Sequence, residues 1–290
     1  MKKILVPTDF SDPSVNAAKF ALAIANVFDG QVELCNAFMV PVQAPLAAQV
    51  SLPVIDYDTV QHQANERLAT MAKKLEEQMV HSWLEDSRPI QWVADGGSAV
   101  EVINALVEKE QPMLLVMGMS GDGAISQFFL GSCSREMISH AKIPVLLVPA
   151  AATFIGINKI AFATDLSHDD IGVIRSLSTF AAQFNAEILV AHVSEGQGDD
   201  DKQRAKIADF INYITTRIDY PHVHFRDIKQ MNVDEGLDWL SEHGQIDMLV
   251  MVHHRSSLID VLFNRSRTQK VARHIDIPLL VYPGYLNHVF

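Results

Sequence analysis

A spaced set of glycines and hydroxyls is the part of this chain best suited to chemistry. Gly118, Gly121 and Gly131 follow one another as G-x2-G-x9-G, with Ser132, Cys133 and Ser134 directly after. Glycine lets backbone amides approach an anion without a Cβ in the way. A helix start offers free N–H groups and a positive dipole end. The set therefore suits phosphate. It is not a Walker A loop, because no Gly-Lys-Ser/Thr follows, and it lacks the G-x-G-x-x-G of a dinucleotide fold. An ordinary surface loop is the plain alternative.

The elements around the loop favour the phosphate reading. Met113 to Met117 is an unbroken apolar run, as in a parallel strand buried on both faces, and a helical pattern runs from Arg135 to His140. Earlier, Ile4–Val6 reads as a strand ending in the turn Pro7-Thr8-Asp9-Phe10-Ser11. A helix follows over 13–28, then a strand over 32–38 and an aperiodic Pro- and Ala-bearing loop over 39–56. An amphipathic helix over 58–83, a strand over 90–93, a helix opened by a Ser98/Glu101 capping box and a strand over 145–148 complete the unit. Strands alternating with helices imply a parallel sheet covered on both faces.

The pattern then repeats. IAFATDLS at 160–167 matches ILVPTDFS at 4–11, with an offset of 156 that aligns Asp9 with Asp165. IPLLVYP at 277–283 matches IPVLLVP at 143–149, with an offset of 134. Two copies of one α/β unit follow, with boundaries at 1–150 and 157–290.

The first copy's VPTDFS start, glycine loop and closing IPVLLVP strand, in that order, resemble the universal stress protein family. The resemblance implies an α/β fold of two tandem doubly wound five-stranded parallel sheets, order 3-2-1-4-5, paired through their last strands as an intramolecular pseudo-dimer. It leaves a further homodimer open.

In such a sheet, ligands sit where the strand order reverses, between strands one and four. Pro7, Thr8 and Asp9 end strand one, and Met117, Gly118 and Met119 end strand four. Asp9 suits ribose hydroxyls or a metal ion; alternatively, Thr8 and Asp9 cap the next helix. The resemblance implies the same roles, with Ala37 beside adenine and Gly118, Gly121, Gly131, Ser132, Cys133 and Ser134 around the phosphates. The ligand it implies is ATP with Mg2+. Cations are scarce in the loop, Arg135 being the nearest, so charge balance falls to amides and Mg2+.

The second copy has Val252, Arg255 and Arg265 where the first has Gly118, Gly121 and Gly131; only Ser266 remains. The expectation is an ATP-competent first half and a degenerate second half. The second loop is locally basic and suits some other anion, while adjacent His253 and His254 diverge and make a poor metal pair.

A formal charge of −12 argues against a nucleic-acid surface. Two cysteines exclude a disulfide framework. No apolar run approaches a membrane span, and the first residues lack a signal h-region, so a cytoplasmic setting is expected. No nucleophile, base and clamp are arranged together. His140, aligned with His274, reads as structural. The function that follows is a stress-response ATP-binding switch. A scaffold that binds no nucleotide and a slow ATP-hydrolysing enzyme are the alternatives.

Overall fold

The computed structural model describes residues 2–40, 56–80, 88–119, 132–140, 142–194, 201–229, 231–253 and 277–284. The first half runs β1 (Lys3–Pro7), α1 (Asp12–Val27), β2 (Gln31–Phe38), α2 (Tyr57–Val80), β3 (Gln91–Gly96), α3 (Ala99–Glu110), β4 (Leu114–Met119), α4 (Ser132–His140) and β5 (Val145–Pro149). The second runs β6 (Lys159–Thr164), α5 (Asp170–Phe184), β7 (Glu187–Ser194), α6 (Asp201–Arg217), β8 (Val223–Lys229), α7 (Val233–His243), β9 (Met248–His253) and β10 (Leu279–Pro283).

All ten strands form one sheet in the order β3-β2-β1-β4-β5-β10-β9-β6-β7-β8. Each half is parallel and follows the expected 3-2-1-4-5 order. The halves meet where β5 and β10 run antiparallel, with Leu146 opposite Leu280. Central strands are apolar on both faces because helices cover both; β5 and β10 are buried at every residue. One core layer packs β-strand residues such as Ile4, Val6 and Phe162 beneath α1, α2 and α5. The other packs Leu5, Leu115 and Leu249 beneath α3, α4 and α7. Both layers cross the seam, so the halves share their core.

Local devices repeat with the sequence. The turn after strand one places Phe10 at φ 67° and Leu166 at φ 64°. The first helix of each half ends in a left-handed residue, Asp29 or Asn185, and Gln111 and Gln245 form a third pair. Such backbone is uncommon outside glycine, so its recurrence at both offsets reflects one architecture used twice. The Ser98/Glu101 capping box is present, and Asn232 with Glu235 forms its counterpart.

Among the described residues, three boundaries shift by two residues or more from the sequence reading. The fourth helix starts at Ser132, not Arg135, so the serines occupy its first turn. The fourth strand extends to Met119 and takes in Gly118, and the third runs on to Gly96. Among the described residues, no helix is long and apolar enough to cross a membrane.

Candidate nucleotide-binding crevice

The crevice opens where β2 and β4 leave opposite sides of β1. Residues from both sides converge on one cavity of about 290 Å³. Pro7, Thr8, Asp9, Ala37, Met117, Gly118, Ser132, Cys133 and Ser134 all line it. Nine of the twelve residues singled out by sequence thus meet in one place. Met119 does not border the cavity; it is buried at the end of β4 in register with Pro149. Gly121 and Gly131 lie outside the described residues, as does most of the glycine loop.

Hydrogen bonds fix the loop after β1. Thr8 N–H donates to the Cys35 carbonyl at 2.8 Å, and Asn36 Nδ2 donates to the Thr8 carbonyl at 2.7 Å. Thr8 Oγ1 accepts from Phe10 N–H at 2.9 Å and shares a 2.8 Å hydrogen bond with buried Ser14. Asp9 accepts from Ser11 N–H at 3.0 Å and from the Ser11 hydroxyl. The α1 N-cap, Ser11, makes no side-chain cap bond. Asp9 thus ties the loop to itself through Ser11, while Thr8 ties it to the Ser14 side chain in the first turn of α1. Burial alone would raise the Asp9 pKa, but hydrogen bonds from Ser11 and Ser14 outweigh it and hold the carboxyl below its usual range. Asp9 is thus an ionised, acceptor-only group at neutral pH.

Gly118 lines the cavity and is also constrained from behind by α1. A Cβ there would lie 2.3 Å from the Pro13 carbonyl oxygen and 2.8 Å from the Ser14 nitrogen. The missing side chain admits the start of α1, which forms one wall of the cavity. The opposite wall carries the N-terminal turn of α4 with Ser132 and buried Ser134. A helix start with two hydroxyls beside an ionised Asp9 can hold a polyphosphate with its counter-cation. Among the described residues, no group of three His, Cys, Asp or Glu side chains could hold a metal unaided.

Sequence reasoning missed several lining residues. Asn36, Ser14, Val102 and Ile103 also line the cavity. Asn36 adjoins Ala37 at the end of β2, a signal available in the sequence. Val102 and Ile103 read only as the apolar face of α3, and their place depends on how that helix packs. Cys35 lies deep in the same cavity, buried, with its thiol pKa pushed up by burial. Cys133 is half-buried, and burial raises its thiol pKa too. His140 is exposed, with Nδ1 3.1 Å from the Glu136 carbonyl of its own helix; His274 lies outside the described residues.

The second half builds the same corner with other residues. Asp170 replaces Ser14 and accepts from Thr164 Oγ1 at 2.6 Å. His192 replaces Asn36, with Nδ1 3.1 Å from the Thr164 carbonyl. Buried Val252 stands where Gly118 did. The helix start differs as well. In α1, Val15 N–H reaches the Ser11 carbonyl four residues back; in α5, the matching Ile171 N–H reaches only His168, three back. The first turn is tightened and the regular helix starts at Asp170. Arg255 and Arg265 lie outside the described residues.

The chain is thus an α/β protein with two parallel half-sheets and, in the first half, a polar crevice at the switch point of the strand order. Residues 1–149 match the model of the universal stress protein family, and the chain belongs to that family. It is 33% identical over 147 residues to a universal stress protein of Methanocaldococcus jannaschii, covering 51% of this chain and 81% of that protein. It is 32% identical over 158 residues to universal stress protein G of Escherichia coli O157:H7, covering 51% of this chain and 98% of that one. The whole fold resembles the crystal structure of a universal stress protein from Archaeoglobus fulgidus, with a TM-score of 0.68 at 19% identity, covering 97% of this chain and 98% of that chain.

Proposed function

We propose that the first-half crevice binds an adenine nucleotide, ATP with Mg2+, and that occupancy switches conformation or partner choice in a stress response. The observation that carries this is the convergence of the strand-one end, the strand-two end, Gly118 and the α4 N-terminus on a single cavity. Asp9 and Asn36 supply polar groups toward a ribose. Apolar Ala37, Val102 and Ile103 offer a surface for a base. The α4 amides with Ser132 and Ser134 take phosphate oxygens. Mg2+ neutralises phosphate charge when bound, and Asp9 is the carboxylate placed to hold it or its water shell.

The reading treats 1–150 as the nucleotide-competent domain and 157–290 as a degenerate partner. In the second half, Val252 replaces Gly118, and the start of α5 is tightened. The role proposed for the site is binding, with turnover secondary.

Photolabelling with 8-azido-ATP and Mg2+, followed by peptide mapping, tests the assignment. Label confined to peptides within 1–150, and competed by ATP, is the expected result. Label in 157–290 at comparable yield would overturn it.

A further inference from the structure

A second hollow of about 610 Å³ lies on the other side of the same loop, between the start of α1 and α2. Its floor is apolar: Phe10 and Val15 from the loop and α1, with Met71 and Leu75 from α2, the last two at 7% and 2% exposure. Its rim carries exposed Arg67 and Lys74 on one face of α2. Seven residues of helix separate these cations by about 10 Å. The Arg67 guanidinium sits 3.9 Å above the centre of the Phe10 ring, an arrangement that leaves its N–H edge free to donate. Neither cation bonds or pairs with another described residue. Glu66, the one acid in the lining, faces His62 Nε2 at 3.4 Å. The hollow is thus locally positive in a chain of formal charge −12.

In the second half, side chains between the loop after β6 and α6 engage one another instead. His168 stacks on Tyr213 at 4.5 Å and 5° and meets Asp209 at 3.0 Å, while Lys206 Nζ donates to the Asp165 carbonyl at 2.9 Å. The cations and apolar surface left open in the first half therefore do not follow from the architecture alone.

We propose that this hollow is a second small-molecule site, selective for an amphipathic carboxylate. The apolar body lies over Val15, Met71 and Leu75, and the carboxylate is taken by Arg67 with Lys74. The volume falls within the range of small-molecule pockets, roughly 300–1,000 Å³, and the planar guanidinium matches a carboxylate. The two cavities share a wall: Thr8 Oγ1, on the crevice side, lies 3.6 Å from Met71 Sδ on the floor of the hollow.

The test uses the full chain without nucleotide, so its failure leaves the ATP reading standing. The probe is 1-anilinonaphthalene-8-sulfonate, displaced by decanoate, with decanol as the uncharged control. One saturable site per chain is expected, with decanoate displacing the dye at least tenfold better than decanol. An Arg67→Gln/Lys74→Gln variant with an unchanged melting temperature should weaken decanoate about tenfold and leave decanol unaffected. A Met71→Trp variant fills the floor and should expel both. Decanol competing as well as decanoate, or wild-type decanoate affinity in the double variant, would overturn the proposal.

Discussion

Leu146 lies opposite Leu280, its own counterpart in the repeat. Leu147 faces Leu279 and Val145 faces Val281, so the register is symmetric about the 146/280 pair. A self-complementary contact of this kind is what a two-fold dimer uses; here a linker joins the two copies. The seam covers one edge of each half, an edge that would otherwise be open for pairing. Because both core layers run through it, the two crevices lie on one continuous sheet, and each can differ chemically without a change of fold.

The first prediction concerns Gly118. A valine there, copying Val252, meets the Pro13 carbonyl, which is backbone and cannot swing away. Gly118→Val should destabilise by about 2–4 kcal/mol in urea titration, as overpacking against backbone does. Unchanged stability would show that α1 can retreat freely.

A second prediction compares Ser14 with Asp170. Both stand at the same corner, but buried Asp170 holds the Thr164 hydroxyl as an acceptor at 2.6 Å. Asp170→Ala should cost about 2–3 kcal/mol, because a buried polar partner loses its bond. Ser14→Ala should cost about 1 kcal/mol, since Ser14 offers Thr8 a hydroxyl where Asp170 offers Thr164 a carboxylate, and both threonine oxygens also accept a backbone N–H, from Phe10 and Leu166. Equal losses in denaturant titration would contradict the distinction.

A third concerns pH. Lys3 Nζ donates to Glu110 at 2.9 Å and Glu33 at 3.2 Å. Burial pushes the Lys3 pKa down, but the bonds to Glu110 and Glu33 prevail and hold it above 10.5. The bond from Lys3, with that from Lys109, holds Glu110 below 4.5. A raised lysine pKa means stability that is full below 10.5 and lost as pH rises through the folded value. A depressed carboxyl pKa means stability present above 4.5 and lost as pH falls through the folded value. Lys3→Met should therefore cost about 1–3 kcal/mol between those limits, and the gap to wild type should narrow at both ends. A gap that does not change with pH would remove the electrostatic account.

Much of this was legible in the sequence because chemistry and repetition left marks there. The two offsets predicted two five-stranded units, and the shared turn residues at Phe10/Leu166 bear the same backbone strain. The strand ends gave Thr8, Asp9, Met117 and Gly118 directly. What stayed hidden depends on packing. Spacing assigned Gly118 to backbone clearance for phosphate, and gave no sign that a Cβ there would also meet Pro13 and Ser14. The parity that places Met117 at the cavity also puts Met119 on the same face, but one step further along, buried. The start of α4 was read three residues late because Ser132, Cys133 and Ser134 have weak intrinsic helix preference.

A fourth prediction uses the cysteines. Cys133 is half-buried at the cavity and Cys35 is buried beneath it. Brief iodoacetamide treatment of the native protein at neutral pH should modify Cys133 slowly and Cys35 hardly at all, since burial raises both thiol pKa values. ATP with Mg2+ should slow Cys133 further. Preferential modification of Cys35, read by peptide mass spectrometry, would mean that the cavity opens more deeply than described.

The central claim is one nucleotide-competent half. Calorimetric titration with ATP and Mg2+, beside a Gly121→Arg variant that copies Arg255, tests it most directly. The account predicts one site per chain in the wild type and none in the variant. Two sites in the wild type, or none, would contradict it.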